Sequence, residues 1–216
     1  MKKYKALIFD WDGTLADSTL HIVHSVQYAF RNNNLDVPND ELSRSIIGLS
    51  LEQGLKKLSQ QNIGYEQLIK LVQDYRAFYF GQDKPICFFE NTKELLKHWQ
   101  IQYILGIATG KSRRGLERGL DDTQSRSFFS ATRTADECAS KPNPEMILSL
   151  CYEWGLSPSE VIMIGDTTHD LLTAQNAGAD AAAVATGAHS KQDLMSVGSV
   201  GIFDNLMQFS HWLDEI

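Results

Sequence analysis

Residues 4–15 read YKALIFDWDGTL, and this stretch decides the fold. Its first half, residues 4–9, is mostly apolar and is typical of a buried strand, which ends at the two aspartates Asp10 and Asp12. Gly13 allows the backbone to turn there, so both carboxylates can face one volume. The alternative is a simple turn in which an aspartate accepts a local backbone hydrogen bond.

Similar apolar runs alternate with amphipathic stretches along the rest of the chain. Strands are predicted at residues 103–108, 161–164, 181–185 and 200–203, with one more following Phe128. Helices are predicted at residues 92–99, 144–154 and 169–177. Alternation of helices with fully apolar strands predicts an α/β fold with a Rossmann-like parallel sheet and helices on both faces.

One interval interrupts this alternation. The first strand and the strand at residue 103 are separated by far more than the roughly 30 residues of a βαβ unit. Apolar residues within the interval recur at helical spacing. We therefore predict an inserted α-helical cap domain at residues 17–87, and an α/β core at residues 1–16 and 88–216. Ligands of open α/β sheets bind at the carboxyl edge, so the cap would act as a lid there.

Composition narrows the class of protein. The 216 residues include 27 acidic and 20 basic side chains, for a net charge of −7. This balance argues against binding to nucleic acid or to anionic membranes, which depends on excess Lys and Arg. Three cysteines without a CxxC pair argue against a disulfide framework or a thiolate zinc site. We expect a cytoplasmic protein that is a monomer or a weak homodimer.

The second strand leads into Thr109-Gly110-Lys111-Ser112. A P-loop has the pattern GxxxxGK[ST], but Gly106 stands one residue too close for that spacing. The Thr109 hydroxyl and the backbone N–H groups after it would suit a single phosphate rather than a triphosphate. An ordinary helix N-cap is the alternative for Thr109.

Three cations follow Thr109, namely Lys111, Arg113 and Arg114. We expect them on the solvated face of a helix, although their position beside an anion site leaves a role in substrate binding open. Pairs at i,i+4 spacing support the solvated face: Arg113 with Glu117, and Arg118 with Asp122.

Two further elements carry polar residues to the same edge of the sheet. Lys141 lies in a Lys-Pro-Asn-Pro loop, whose prolines restrict where the lysine points. Asp166 and Asp170 follow the strand at 161–164, either as helix caps or as the hard oxygen ligands that Mg²⁺ prefers. Carboxylates gathered at one edge repel one another, and a divalent cation relieves that repulsion. The cluster therefore predicts a bound metal ion.

These elements, in this order, resemble the signature of the haloacid dehalogenase-like hydrolase superfamily. The resemblance spans Asp10 to about Gly187. The stretch from Ala108 to Arg113 and the Lys-Pro-x-Pro loop are most similar to the phosphoglycolate phosphatase-like branch with a helical cap.

The resemblance implies a role for each residue. Asp10 would be the nucleophile that forms an aspartyl-phosphate, and Asp12 the general acid and base. Thr109, Gly110 and Lys141 would hold the phosphate oxygens. The implied Mg²⁺ ligands are the Asp10 carboxylate, the Asp12 carbonyl and Asp166, and Asp170 would support the metal site, either as a further ligand or by holding the ligands in place.

In related phosphatases a cap loop contacts the substrate, and the resemblance implies that Gly48, Leu49 and Ser50 make this contact here. The alternative is that these residues are a helix C-cap followed by an N-cap. Asp12 favours phosphoryl transfer over dehalogenation, because displacing a halide needs no proton. We predict a Mg²⁺-dependent phosphatase for a small phosphorylated metabolite, phosphoglycolate-like or a sugar phosphate. The alternatives are a phosphomutase, a pyrophosphatase, a P-loop switch and a non-catalytic metal- or phosphate-binding module.

Overall fold

The computed structural model describes residues 3–60 and 62–216. Within this part of the chain, six parallel strands form one sheet in the order β3-β2-β1-β4-β5-β6. The strands are β1 (Ala6–Phe9), β2 (Ile104–Thr109), β3 (Ala131–Thr134), β4 (Val161–Gly165), β5 (Asp180–Val184) and β6 (Gly201–Phe203). The predicted Rossmann-like α/β fold is confirmed, and the predicted strands differ from the observed ones by a few residues at their ends.

Strand β1 lies at the centre of the sheet, where the strand order reverses. Its last residue, Phe9, lies opposite Ile107 of β2 and Ile164 of β4. The Asp10 amide continues the ladder by donating to the Ile164 carbonyl at 2.9 Å. Residues that follow β1, β2 and β4 therefore leave the sheet side by side at its carboxyl edge, which is the usual binding position in such folds.

Helices cover both faces of the sheet. They are α5 (Thr92–Trp99), α6 (Arg113–Thr123), α7 (Glu145–Trp154), α8 (Thr168–Ala177), α9 (Lys191–Met195) and α10 (Leu206–Asp214). Leu7 and Phe9 belong to one buried cluster, and Ala6 and Ile8 to another. Successive residues of a strand point to opposite faces, so a fully apolar β1 requires a core on each side.

Within the described part of residues 17–87, the interval predicted to be helical, there are four helices. They are α1 (Thr19–Asn32), α2 (Asp40–Arg44), α3 (Leu51–Leu58) and α4 (Tyr65–Gly81). Helix α1 buries Ile22, Val26 and Ala29, whose spacing of three and four residues places them on one face. The division into a core and a cap domain stays a prediction.

No helix within the described residues has the length and apolar character that a membrane span requires.

Candidate active site

A buried lysine ties two aspartates together at the carboxyl edge of the sheet. Lys141 Nζ donates to Asp10 Oδ1 at 2.8 Å and to Asp170 Oδ1 at 2.5 Å. The Lys141 side chain is 0% exposed, and it belongs to the loop between β3 and α7. The structure thus brings together three predicted site residues that are far apart in the chain.

Burial shifts the ionisation of this group. The pKa of Asp10 rises to about 6, mainly because burial penalises the carboxylate, while the Lys141 ammonium opposes the rise. The pKa of Asp166 is raised well above its usual value by burial and then by the nearby Asp170 and Asp10. Burial by itself would lower the pKa of Lys141, but Asp10 and Asp170 outweigh it and raise that pKa.

Three carboxylates can share one cation. Asp10, Asp166 and Asp170 are buried, and each offers an oxygen within 4.8 Å of the others. Asp10 Oδ2 is buried without a hydrogen-bond partner among the described residues. Three carboxylates face a single ammonium here, so the cluster has the hard oxygen donors and the excess negative charge that suit a divalent cation such as Mg²⁺.

Local hydrogen bonds hold two of these carboxylates in place. Asp166 accepts from the Thr14 hydroxyl at 2.7 Å and from the Ala188 amide at 2.8 Å. Asp170 Oδ2 accepts from the Thr167 amide and hydroxyl, forming the capping box of α8 while Oδ1 faces Lys141. Asp170 therefore fulfils the predicted capping role and lies in the cluster as well, whereas Asp166 does not cap the helix.

Asp12 lies outside the three-carboxylate cluster and has its own partners. Ser18 Oγ donates to Asp12 Oδ1 at 2.5 Å, and Lys111 Nζ donates to both carboxylate oxygens at 2.7 and 2.8 Å. Lys111 is nearly buried, and its ammonium lies 4.9 Å from the centre of the Tyr79 ring.

The expectation that Lys111 lies on a solvated helix face is therefore wrong. Helix α6 begins at Arg113, so Lys111 precedes the helix and turns inward to the Asp12 carboxylate. The two predicted i,i+4 pairs are confirmed, since Arg113 pairs with Glu117 at 3.1 Å and Arg118 with Asp122 at 3.6 Å. Arg114 is exposed, as expected.

The residues predicted to hold phosphate lie beside the carboxylates. Thr109 is buried and Gly110 follows it, and both line a cavity together with Asp10 and Asp12. Thr109 is not the N-cap of α6. Ser112 is, because its hydroxyl accepts from the Gly115 amide at 3.2 Å. The Thr109 hydroxyl lies near the cavity and accepts a long hydrogen bond, 3.3 Å, from the Lys111 amide.

The loop that contains Gly48, Leu49 and Ser50 reaches this cavity and lines it. The Ser50 amide donates to Ser140 Oγ at 2.9 Å, which joins the loop to the segment that carries Lys141. Ser50 is also the N-cap of α3, so this residue has the predicted capping role and lines the cavity as well.

Substitution of Gly110 tests whether the loop of residues 48–50 must lie close to the site. A Cβ on Gly110 would lie 2.5 Å from the carbonyl oxygens of both Gly48 and Leu49, so Gly110→Ala has to displace the loop. We expect kcat/KM to fall by about tenfold to a hundredfold, because a shift of about 1 Å in positioning groups has that cost. Gly81→Ala, which meets no atom within 4 Å, is the matched control. Unchanged kcat/KM in Gly110→Ala would show that the loop does not shape the working site.

Sequence reasoning missed several residues of the site. Thr14 lies within the quoted opening stretch, and its place four residues after Asp10 was the only signal for its bond to Asp166. Ser18 had no signal beyond its proximity to Asp12. Tyr75 and Tyr79 lie in the interval where apolar residues recur at helical spacing, and no sequence motif distinguishes them, yet both line the cavity.

Comparison with known proteins identifies the family. The model of the haloacid dehalogenase-like hydrolase family matches residues 7–184, which is most of the chain. This chain belongs to that family. The carboxylates, Thr109 and Lys141 all lie inside the matched range.

Curated relatives agree with this family. The probable phosphatase IndB of Dickeya dadantii is 31% identical over 94% of this chain and 90% of its own length. The pyrophosphatase PpaX of Oceanobacillus iheyensis is 29% identical over 84% of this chain and 83% of its own. The predicted family and the predicted enzyme class, a phosphatase of this family, are therefore confirmed.

Solved structures share the fold over the whole chain. A hydrolase from Pseudomonas syringae superposes with a TM-score of 0.90 at 25% identity, covering 98% of this chain and 99% of that one. A predicted phosphoglycolate phosphatase from Haemophilus somnus superposes with a TM-score of 0.84 at 24% identity, covering 98% of both chains. The second likeness shows the common fold alone.

Proposed function

We propose that this family member is a Mg²⁺-dependent phosphatase that hydrolyses a small phosphate monoester through an aspartyl-phosphate on Asp10. One observation carries the proposal. The buried Asp10 carboxylate has one oxygen fixed by Lys141 and the other without a partner, beside two more carboxylates and at a cavity. A carboxylate held in this way is positioned for attack rather than used for packing.

In the first step Asp10 Oδ2 attacks phosphorus, the P–O bond to the leaving group breaks, and the leaving oxygen takes a proton from Asp12. In the second step Asp12 removes a proton from water, which attacks the aspartyl-phosphate and releases phosphate and Asp10. Lys111 Nζ contacts both Asp12 carboxylate oxygens. We expect Lys111 to turn towards the substrate phosphate, so that Asp12 can reach the leaving oxygen.

The remaining residues position the phosphate and neutralise its charge. Thr109, the Gly110 amide and Lys141 would bind the nonbridging oxygens, since phosphoryl transfer depends mainly on orientation and charge. Asp10, Asp166, Asp170 and the Asp12 carbonyl would hold Mg²⁺. The bound ion would reduce the repulsion between the phosphate and the attacking carboxylate.

The helices of residues 17–87 would form the cap of this enzyme. Its loop at Gly48, Leu49 and Ser50 already lies against Gly110 and would contact the substrate when the site closes. We place the enzyme in the cytoplasm, as a monomer or weak homodimer, which accords with its free cysteines Cys87, Cys138 and Cys151.

Pyrophosphate hydrolysis on the same core is the second candidate, because relatives at 29–30% identity are named pyrophosphatase. A phosphomutase is disfavoured, since the residue after Gly48 is Leu49, where the resemblance implies an arginine in mutases. A non-catalytic binding module would bind phosphate or metal without turnover, so the assay described next separates it from an enzyme.

Chelation tests the proposal. EDTA should stop hydrolysis of p-nitrophenyl phosphate, and Mg²⁺ should restore it. Independently of turnover, saturating Mg²⁺ should stabilise the protein near neutral pH by about 3 kcal/mol, which raises Tm by several degrees. The increase should shrink in mildly acidic buffer, because the raised pKa values of Asp10 and Asp166 let protons compete with the metal.

Asp166→Asn is the control for this experiment, since it removes one proposed ligand while keeping the shape of the side chain. It should lose the increase in Tm. Turnover that is indifferent to EDTA, or an equal increase in Tm for wild type and Asp166→Asn, would remove the metal from the proposal.

A further inference from the structure

The cavity has two unlike sides. Asp10, Asp12, Thr109 and Lys111 form the side at the sheet edge. The other side comes from α1, α4 and the residues between α2 and α3, and most of its side chains are apolar or aromatic. These are Ile22, Ile46, Ile47, Leu49, Leu51, Tyr75, Tyr79 and Phe80.

Two buried cations lie at or beside the cavity, and both already have a role. Lys141 is bonded to Asp10 and Asp170, and Lys111, which is bonded to Asp12, is the residue proposed above to turn towards the substrate phosphate. Arg76 also lines the cavity, but it is exposed at the rim and borders a second, outer groove as well.

Two of the three arginines of α6 are engaged as well, because Arg113 binds two glutamates and the Arg118 guanidinium donates to backbone carbonyls of residues 79 and 82. The third, Arg114, is exposed, and its guanidinium lies 4.4 Å from the centre of the Phe80 ring. If a substrate carried a second anionic group, that group would therefore lose its hydration shell to apolar side chains and would gain no buried cation as a partner. Burying a charge in this way is energetically unfavourable.

Two aromatic side chains on the apolar side of the cavity indicate what kind of group could bind there. Tyr75 and Tyr79 lie one turn apart on α4, with ring centres 5.7 Å apart and planes 14° from parallel. The Tyr79 hydroxyl is buried and has no hydrogen-bond partner among the described residues. A buried hydroxyl of this kind is normally satisfied, so a ligand that supplies a polar atom here would remove the cost of leaving it unpaired.

We infer that the leaving group of the substrate is a flat, largely apolar ring with one hydrogen-bonding atom at its edge, and not a second acidic group. This inference rests on the proposed phosphatase function and specifies its substrate. The ring packs against Tyr75 and the aliphatic residues around it, while its polar atom bonds to Tyr79. Tyr75 and Tyr79 are then specificity-determining residues, distinct from those that bind the phosphate.

Three phosphate monoesters of primary alcohols test the inference: benzyl phosphate, ethyl phosphate and phosphoglycolate. Their leaving oxygens have similar basicity, so differences in kcat/KM report on binding of the organic group. We expect benzyl phosphate to exceed each of the others by about tenfold or more, since even one methylene in an apolar pocket is worth at least about tenfold. Pyrophosphate should be a still poorer substrate.

Variants localise the effect. Tyr75→Leu should lower the ratio of kcat/KM for benzyl phosphate to that for ethyl phosphate by about tenfold. Tyr65→Leu, at the exposed start of the same helix, is the matched control and should leave this ratio unchanged. Because the ratio compares two substrates on one protein, a partly unfolded variant would not change it.

Three outcomes would overturn the inference. If wild type hydrolyses ethyl phosphate as fast as benzyl phosphate, the site does not recognise a ring. If it hydrolyses phosphoglycolate or pyrophosphate as fast as benzyl phosphate, the site accepts a second anion, and selective loss of that turnover in Arg76→Ala would place the anion at Arg76. The phosphatase proposal would survive either result. If no ester, including p-nitrophenyl phosphate, is hydrolysed in the presence of Mg²⁺, the phosphatase proposal itself fails, and this inference fails with it.

Discussion

Asp10→Asn should reduce turnover of a generic aryl phosphate by at least about 10⁴-fold, since loss of a nucleophile removes the whole covalent pathway. An amide nitrogen or oxygen in place of Asp10 Oδ2 is a very poor nucleophile towards phosphorus. The fold should be retained, because asparagine has the same shape and its amide oxygen can still accept from Lys141. Steady-state kinetics with circular dichroism would measure both.

Asp193→Asn is a matched control for this substitution. Asp193 caps the short helix α9 on the surface and lies outside the cavity, so turnover of the Asp193→Asn variant should equal that of wild type. Turnover of Asp10→Asn within tenfold of wild type would remove Asp10 as the nucleophile. Trapping of labelled phosphate on wild type but not on Asp10→Asn, after rapid acid quenching, would support the aspartyl-phosphate directly.

Lys141→Met should have the second large effect, on stability as well as on activity. Removing the ammonium leaves Asp10 and Asp170 buried without their shared partner, and breaking a buried pair in this way costs about 3 to 5 kcal/mol. The free energy of unfolding, measured in urea without metal, should fall by that amount near neutral pH. Turnover should fall by about a hundredfold or more, because one charged contact to the phosphate is lost.

The loss of stability should depend on pH. Asp10 already has a raised pKa, and without Lys141 its carboxyl group is protonated more readily in the folded state. A folded-state pKa above the unfolded value contributes stability at low pH that is lost as pH rises. The difference between Lys141→Met and wild type should therefore narrow in mildly acidic buffer.

Lys191→Met is the matched control, because Lys191 pairs with Asp204 at the surface. An exposed ion pair contributes about 0 to 1 kcal/mol, so this variant should unfold almost as wild type does. Equal stabilities of Lys141→Met and Lys191→Met would show that the buried lysine does not compensate the carboxylates.

Much of the fold could be predicted from local sequence patterns. The fully apolar stretch before Asp10 indicates a strand with a core on each side, and that is its place in the sheet. Helix α5 has the predicted bounds, Thr92–Trp99. The positions of Asp10, Thr109 and Asp166 after three strands were sufficient to predict that they meet at one edge, because parallel strands share that edge.

Other features of the site depend on packing across the chain. Lys111 was expected in solvent because its neighbours Arg113 and Arg114 form a charged run, and such runs are usually exposed. Only the folded chain shows that Lys111 turns inward to Asp12, 99 residues away.

The sequence by itself determined the class of fold, the order of the strand-end carboxylates and the family, because strand and helix periodicity and short motifs are local properties. The tertiary structure alone decided which charged side chains pair with one another and that Thr14 supports Asp166. It also decided that Tyr75 and Tyr79 line the same cavity as Asp10. Those contacts arise when strand order and helix packing bring segments that are distant in the chain within a few ångströms of one another. A local sequence pattern contains no information about such distances.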